Sequence, residues 1–138
     1  ARDRIVDRFL KQVNHQRAMN GVRSLTLNVR LTKAAQKHAE NMMRSDFIDH
    51  RSPGGRSLQD RVASAGYPWR EIAENLAAGQ PSPDRVLQSW LTSRDHRDNM
   101  LGQDYWEAGI GYAVPSSEGK RSRYRHYWVV IFGARSRQ

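Results

Sequence analysis

Three side chains able to ligate a metal or move a proton stand in segments otherwise written for loops or helix ends. His50 follows Phe47-Ile48-Asp49, Glu74 lies in the largely apolar Glu71-Ile72-Ala73-Glu74-Asn75-Leu76, and His96 lies in Thr92-Ser93-Arg94-Asp95-His96. Neutral imidazole is a good ligand for zinc or copper, and a carboxylate can orient the ring or a bound water. Ser93, His96 and Asn99 step by three, so a helical turn puts them on one side. A Ser93–His96–Glu74 relay can be drawn for serine-type hydrolysis, but no oxyanion hole can be located from sequence. The plain alternative for His50, Glu74 and His96 is a buried hydrogen-bond network that holds loops to a sheet.

Other chemistries are excluded. There is no Gly-x-x-x-x-Gly-Lys-Ser/Thr loop, no Gly-x-Ser-x-Gly elbow and no His-Glu-x-x-His pair. His96-Arg97-Asp98 has the letters of a kinase catalytic loop, but 138 residues are too few for a kinase and no Gly-rich loop precedes it. Cysteine is absent, which removes disulfides, thiol catalysis and cysteine-bound zinc. The remaining histidines read as structural or surface groups. His38 falls on an apolar helix stripe as a core histidine, while His15 and His126 are ordinary surface or strand residues. Trp90, Trp106 and Trp128 read as core, not as a platform for stacking a ligand.

The elements that must position these residues follow from periodicity. Residues 3–19 form a helix on Val6, Leu10 and Val13, widened by Ile5 and Phe9 and stopped at Asn20-Gly21. Leu25 and Leu27 alternate in a short extended link. Residues 30–45 form a second helix, capped by Asn28, with Leu31, Ala35, His38 and Met42 on one stripe. Residues 46–56 form a loop around Ser-Pro-Gly-Gly. Ser57 caps a short helix over Leu58–Ala65, ended by Gly66. Residues 71–79 are open between strand and irregular segment. Ser82-Pro83-Asp84 starts a helix whose buried face is Val86, Leu87, Trp90 and Leu91. Residues 107–114 and 126–133 read as an antiparallel hairpin joined by a polar basic loop. Helices first and a hairpin last predict an α+β domain with helices packed on a small sheet. The chain length fits one domain over 1–138, with a core of about 5–133 and 134–138 as a flexible tail.

The ordered set Asn14-x-x-Arg17, Leu31-x-x-Ala34-Ala35, Phe47-x-x-His50, Arg61 with Gly66-Tyr67, Glu74-Asn75-Leu76, Trp90-x-x-Ser93-x-x-His96, Gly109-Ile110-Gly111 and Phe132-Gly133 resembles a CAP domain. This is the SCP, Tpx-1, antigen 5 and pathogenesis-related-1 superfamily, and the likeness covers about residues 5–133. It implies a three-layer α-β-α sandwich with a small antiparallel sheet and a cleft lined by His50, Glu74 and His96. Many eukaryotic members carry a second Glu where Ser93 stands, so the chain is similar to the bacterial, cysteine-free branch. The expected role is a binding or scaffolding module in preference to an enzyme, with a divalent metal such as zinc held weakly by His50 and His96 and Glu74 supporting from behind. A metal-dependent or serine-type hydrolase and a lipid or sterol carrier are the rival readings.

Charge and compartment complete the expectations. Net charge is +9, with 19 Arg and 4 Lys spread along the chain. This reads either as a solvated surface or as attraction to an anionic cell-envelope polymer or lipid, without specific nucleic-acid recognition. The basic tip Lys120-Arg121-Ser122-Arg123 is the expected contact. The best apolar run is Trp128–Phe132, far short of the about 20 residues of a membrane helix. No signal peptide is visible, and Ala1 is compatible either with the residue left by signal cleavage or with an arbitrary starting point. A monomer that is secreted, periplasmic or on the cell surface is expected.

Overall fold

A computed structural model describes residues 2–116 and 123–136. In chain order the elements are α1 (Arg2–Met19), β1 (Thr26–Leu27), α2 (Val29–Ser45), α3 (Leu58–Ser64), β2 (Trp69–Ala78), α4 (Pro83–Leu91), α5 (Arg94–Met100), β3 (Glu107–Ala113) and β4 (Tyr127–Arg135). Local chemistry sets the helix starts. Asn28 Oδ1 accepts from the backbone N–H of Arg30 and Leu31, Ser57 and Asp60 form a reciprocal capping box, and Ser82 Oγ accepts from Arg85 N with Pro83 in the first turn. Gly66, at φ 84°, takes the left-handed conformation that stops the chain after α3.

The sheet runs β1-β3-β4-β2. β4 pairs antiparallel with β3, Ile110 facing Val130, and antiparallel with β2, Asn75 facing Val130 from the other edge. β1 lies parallel to β3, so the sheet is mixed and not purely antiparallel. The segment 71–79, open in the sequence, is a strand because it pairs with β4 along its whole length. β4 runs to Arg135, and Ser136 N still donates to Pro68 O, so the ordered ladder extends past residue 133 into the segment expected as a tail.

Helices cover both faces, giving three layers. One core joins Phe9 of α1, Val86 and Trp90 of α4 and Met100 of α5 to Ile110, Trp128, Val130 and Phe132. The other joins Leu31, Ala35 and Met42 of α2 and Val62 of α3 to Leu76, Val129 and Ile131. β4 is therefore apolar on both sides, as a central strand must be. Leu31, Ala35, Met42, Trp90, Ile110 and Val130 are all buried. Fully burying such a side chain contributes about 1.5–3 kcal/mol for the larger ones. Trp106 departs from the core reading: it is half-buried, with the guanidinium carbons of Arg23 and Arg135 5.4 and 5.1 Å from its ring centre.

Two glycines let α2 lie directly on the sheet. A Cβ at Gly109 would stand 2.1 Å from the Leu31 carbonyl carbon, and one at Gly111 2.5 Å from that of Ala35. Real Cβ atoms do not approach so closely, so the Gly-Ile-Gly alternation gives β3 a bare face toward α2 and an apolar one toward the other core.

Candidate functional site

The edge strand β2 carries the site. Side chains alternate along a strand, so Glu74 points to the α2–α3 face and Asn75 to the α4–α5 face. Both are buried. Each anchors one histidine segment to the sheet.

On the first face, α2 ends at Asp46 in the left-handed conformation and the chain turns back toward β2. His38, fully buried on α2, fixes this return: its Nε2 donates to the Asp49 carbonyl at 2.7 Å, and its ring meets Phe47 edge-on. Burial lowers the His38 pKa, which keeps the ring neutral, with the proton on Nε2. The core reading of His38 thus acquires a task, placing the loop before His50.

His50 Nδ1 donates to Glu74 Oε1 at 2.8 Å. An ionised carboxylate can only accept, so Nδ1 carries a proton, and in the neutral ring Nε2 keeps its lone pair. The His50 side chain is 58% exposed and that of Glu74 only 1%. The hydrogen bond to Glu74 raises the His50 pKa above its ordinary value, against the opposing effect of partial burial.

Glu74 has a second partner. Arg61 Nη2 donates to both carboxylate oxygens, at 2.8 and 2.9 Å, and to the His50 carbonyl at 2.8 Å. The guanidinium therefore neutralises the buried carboxylate and pins the His50 backbone. Its Nε and Nη1 are buried with no hydrogen-bond partner among the described residues.

On the second face, Asn75 Nδ2 donates to the His96 carbonyl at 2.9 Å, and its Oδ1 accepts from Asn99 Nδ2 at 3.0 Å. Ser93 stands at the start of α5 but makes no cap with its side chain; its Oγ meets His96 Nδ1 at 2.9 Å instead. The His96 ring stacks on Trp90, centroids 6.0 Å apart. Burial lowers the His96 pKa first, and the nearby His50 lowers it further.

The sequence candidates thus form two pairs, His50 with Glu74 and Ser93 with His96. The Ser93–His96–Glu74 relay is not assembled, because Glu74 bonds His50 and Arg61, while His96 reaches only its own helix neighbour. Among the described residues no set of three His, Asp or Glu side chains is disposed to hold a metal ion. Two imidazoles alone would leave coordination positions open and do not make a closed site.

Three contributors were not assigned roles by sequence reasoning. Arg61 and Asn75 were visible only as parts of the ordered motifs. Glu107, buried at the start of β3, accepts from Tyr67 Oη, Arg135 Nε and Asn28 Nδ2 and ties both ends of the sheet together. A lone acid opening an apolar strand was the available signal. His126, half-buried, meets Tyr112 Oη through Nδ1 at 2.7 Å, and His15 is exposed, in keeping with their ordinary roles.

A profile described as the cysteine-rich secretory protein family, CAP, matches residues 10–132. The chain belongs to this family. Its CAP domain is 30% identical over 110 residues to the uncharacterized protein YkwD of Bacillus subtilis, covering 80% of this chain and 43% of that protein. It is 27% identical over 103 residues to the uncharacterized membrane protein YlbC of the same organism, covering 75% and 30%. The chain thus spans less than half the length of the curated relatives it matches. Among solved structures, an outer surface protein of Borrelia burgdorferi superposes with a TM-score of 0.86 at 20% identity, covering 96% of this chain and 94% of that one. An extracellular SCP-domain protein of Bacillus anthracis gives 0.78 at 23% identity, covering 94% and 40%. These likenesses establish the CAP fold. No helix among the described residues is long and apolar enough to cross a membrane.

Proposed function

We propose that this CAP domain is a binding module of the bacterial cell envelope or exterior, whose cleft takes a small ligand or a loosely held divalent cation between His50 and His96. The observation that carries this reading is the double engagement of Glu74. With Arg61 on both oxygens and His50 on one, the carboxylate orients an imidazole and, 1% exposed and ion-paired, is poorly placed to act as a general base. In the neutral ring His50 Nε2 carries the lone pair, and the side chain is 58% exposed, so this nitrogen is the donor on offer. Serine-type hydrolysis gains no support from a serine whose histidine lacks the carboxylate. The outer-surface and extracellular proteins that share the fold support the location.

A bound zinc would supply positive charge and exchangeable coordination positions; the chain's part is to hold His50 Nε2 and a His96 ring nitrogen toward it. Calorimetric titration with zinc tests this on the parent, on the His50→Ala/His96→Ala variant and on Ser93→Glu. Binding should be measurable in the parent, lost in the double variant and strengthened by Ser93→Glu, which adds a carboxylate beside His96. A parent that binds nothing at millimolar zinc leaves the cleft as a structural network.

A further inference from the structure

A cavity of about 210 Å³ opens between α2 and α3 and shares Arg61 with the cleft. Lys33, Lys37 and Asn41 line it from α2, where steps of four place them on one face. Arg56, Arg61 and Ser64 line it from the segment opposite. Four cations thus surround one small volume, and no carboxylate is among its lining residues. Glu74 offsets Arg61, and Asp60 lies near Arg56.

Arg61 is the most deeply buried of the four, its side chain 7% exposed. Nη2 is committed to Glu74 and the His50 carbonyl, while Nε and Nη1 leave three N–H bonds without an acceptor. Buried donors without acceptors cost free energy, and such groups in a folded protein call for a partner. Arg56 is held in place by bonds to Ser64 Oγ and the Asp60 carbonyl. A partner for these groups would therefore accept several hydrogen bonds, carry negative charge and be small. The cavity is below the about 300–1,000 Å³ of sites that enclose drug-sized ligands. A phosphate group meets all three conditions, and guanidinium groups match its oxygens. A carboxylate offers fewer acceptors and less charge.

We propose that this cavity binds a phosphate group, as inorganic phosphate or as the phosphate end of a small ester, with Arg61 donating from Nε and Nη1 and Lys33, Lys37 and Arg56 supplying charge. Calorimetric titration of the full chain with inorganic phosphate and with glycerol 3-phosphate, against acetate at matched ionic strength, tests it. At least one phosphate should bind saturably at one per chain, and the tighter of the two identifies the source. Acetate should not saturate. Lys33→Gln/Lys37→Gln changes only the exposed face of α2, so the fold is kept; it should weaken phosphate binding at least about tenfold. Amide shifts should cluster in 30–41 and 52–65. His96→Ala, which touches neither Arg61 nor Glu74, should bind phosphate as the parent does, which separates this cavity from the cleft. The proposal is overturned if neither phosphate saturates by about 10 mM, if the lysine variant binds unchanged, or if the histidine variant loses binding.

Discussion

Two buried arginines, Arg17 and Arg61, show how one residue type is used in opposite ways. Arg17, fully buried on α1, gives Nε to the Arg23 carbonyl, Nη1 to those of Met100 and Gly102, and Nη2 to that of Tyr105, all within 2.7–3.1 Å. Among the described residues it meets no carboxylate. Burial lowers its pKa to about 10, still leaving it protonated at neutral pH. Its task is to close the ends of α1 and α5 and the entry to β3 with one cation. Arg61 instead meets a carboxylate with a single nitrogen and leaves two nitrogens unpaired beside a cavity. A guanidinium whose every nitrogen meets a carbonyl is finished structure. One left half-used marks a place where the fold stays open to something else.

The largest effect should come from Arg17→Met, which strands four carbonyls at once. A loss of more than about 4 kcal/mol in urea denaturation, or failure to fold, is expected; a loss under about 1 kcal/mol would break the contrast. Next comes Arg61→Met, which leaves Glu74 a buried, uncompensated charge and should cost about 3–5 kcal/mol. Adding Glu74→Gln should recover a large part. A double variant no more stable than the single one would show that the lost charge pairing is not the cause.

The helix caps and the α2 stripe were legible because they depend on neighbours within one turn. Asn28, Ser57 and Ser82 cap where the sequence places them, and Leu31, Ala35, His38 and Met42 share one buried face. β2 was not legible, because Glu74 and Asn75 are buried polar residues inside a strand, and only their distant partners explain them. α3 is seven residues long, too short for periodicity to show that Arg61 lies inward. The ordered motifs pointed to His50, Glu74, Ser93 and His96, but which histidine takes the carboxylate depends on the two faces of β2. Trp106 was misread because its cover is two arginines and not a core. In the basic tip, residues 120–122 lie outside the described residues, while Arg123 N donates to Asp46 Oδ1.

Smaller effects sharpen the same contrast. His50 has a raised pKa in the fold, so the stability it adds is fully present below about 6.5 and is lost as pH climbs through the raised value. His38 and His96 are lowered and act with the opposite sign, losing stability as pH falls below about 6.5. Histidine ring titrations by NMR should therefore give His50 above His96, and Glu74→Gln should bring His50 down; the reverse order would dissolve the His50–Glu74 pairing. The smallest change should be Ser93→Ala. With no cap to lose, it should cost under about 1 kcal/mol in thermal denaturation while shifting the His96 ring signals.

The strand order has a consequence for how the chain comes together. β4, the last strand along the sequence, is not an edge but the partner of both β3 and β2. Until it arrives, β2 has no neighbour, the bare face of β3 has no closed sheet behind it, and the histidine segments have no anchored strand to dock on. The early helices hold their own caps, yet neither core closes around them before the final strand is laid down. Contacts between residues far apart in sequence dominate the sheet, which favours slow folding over stepwise growth from the first helix.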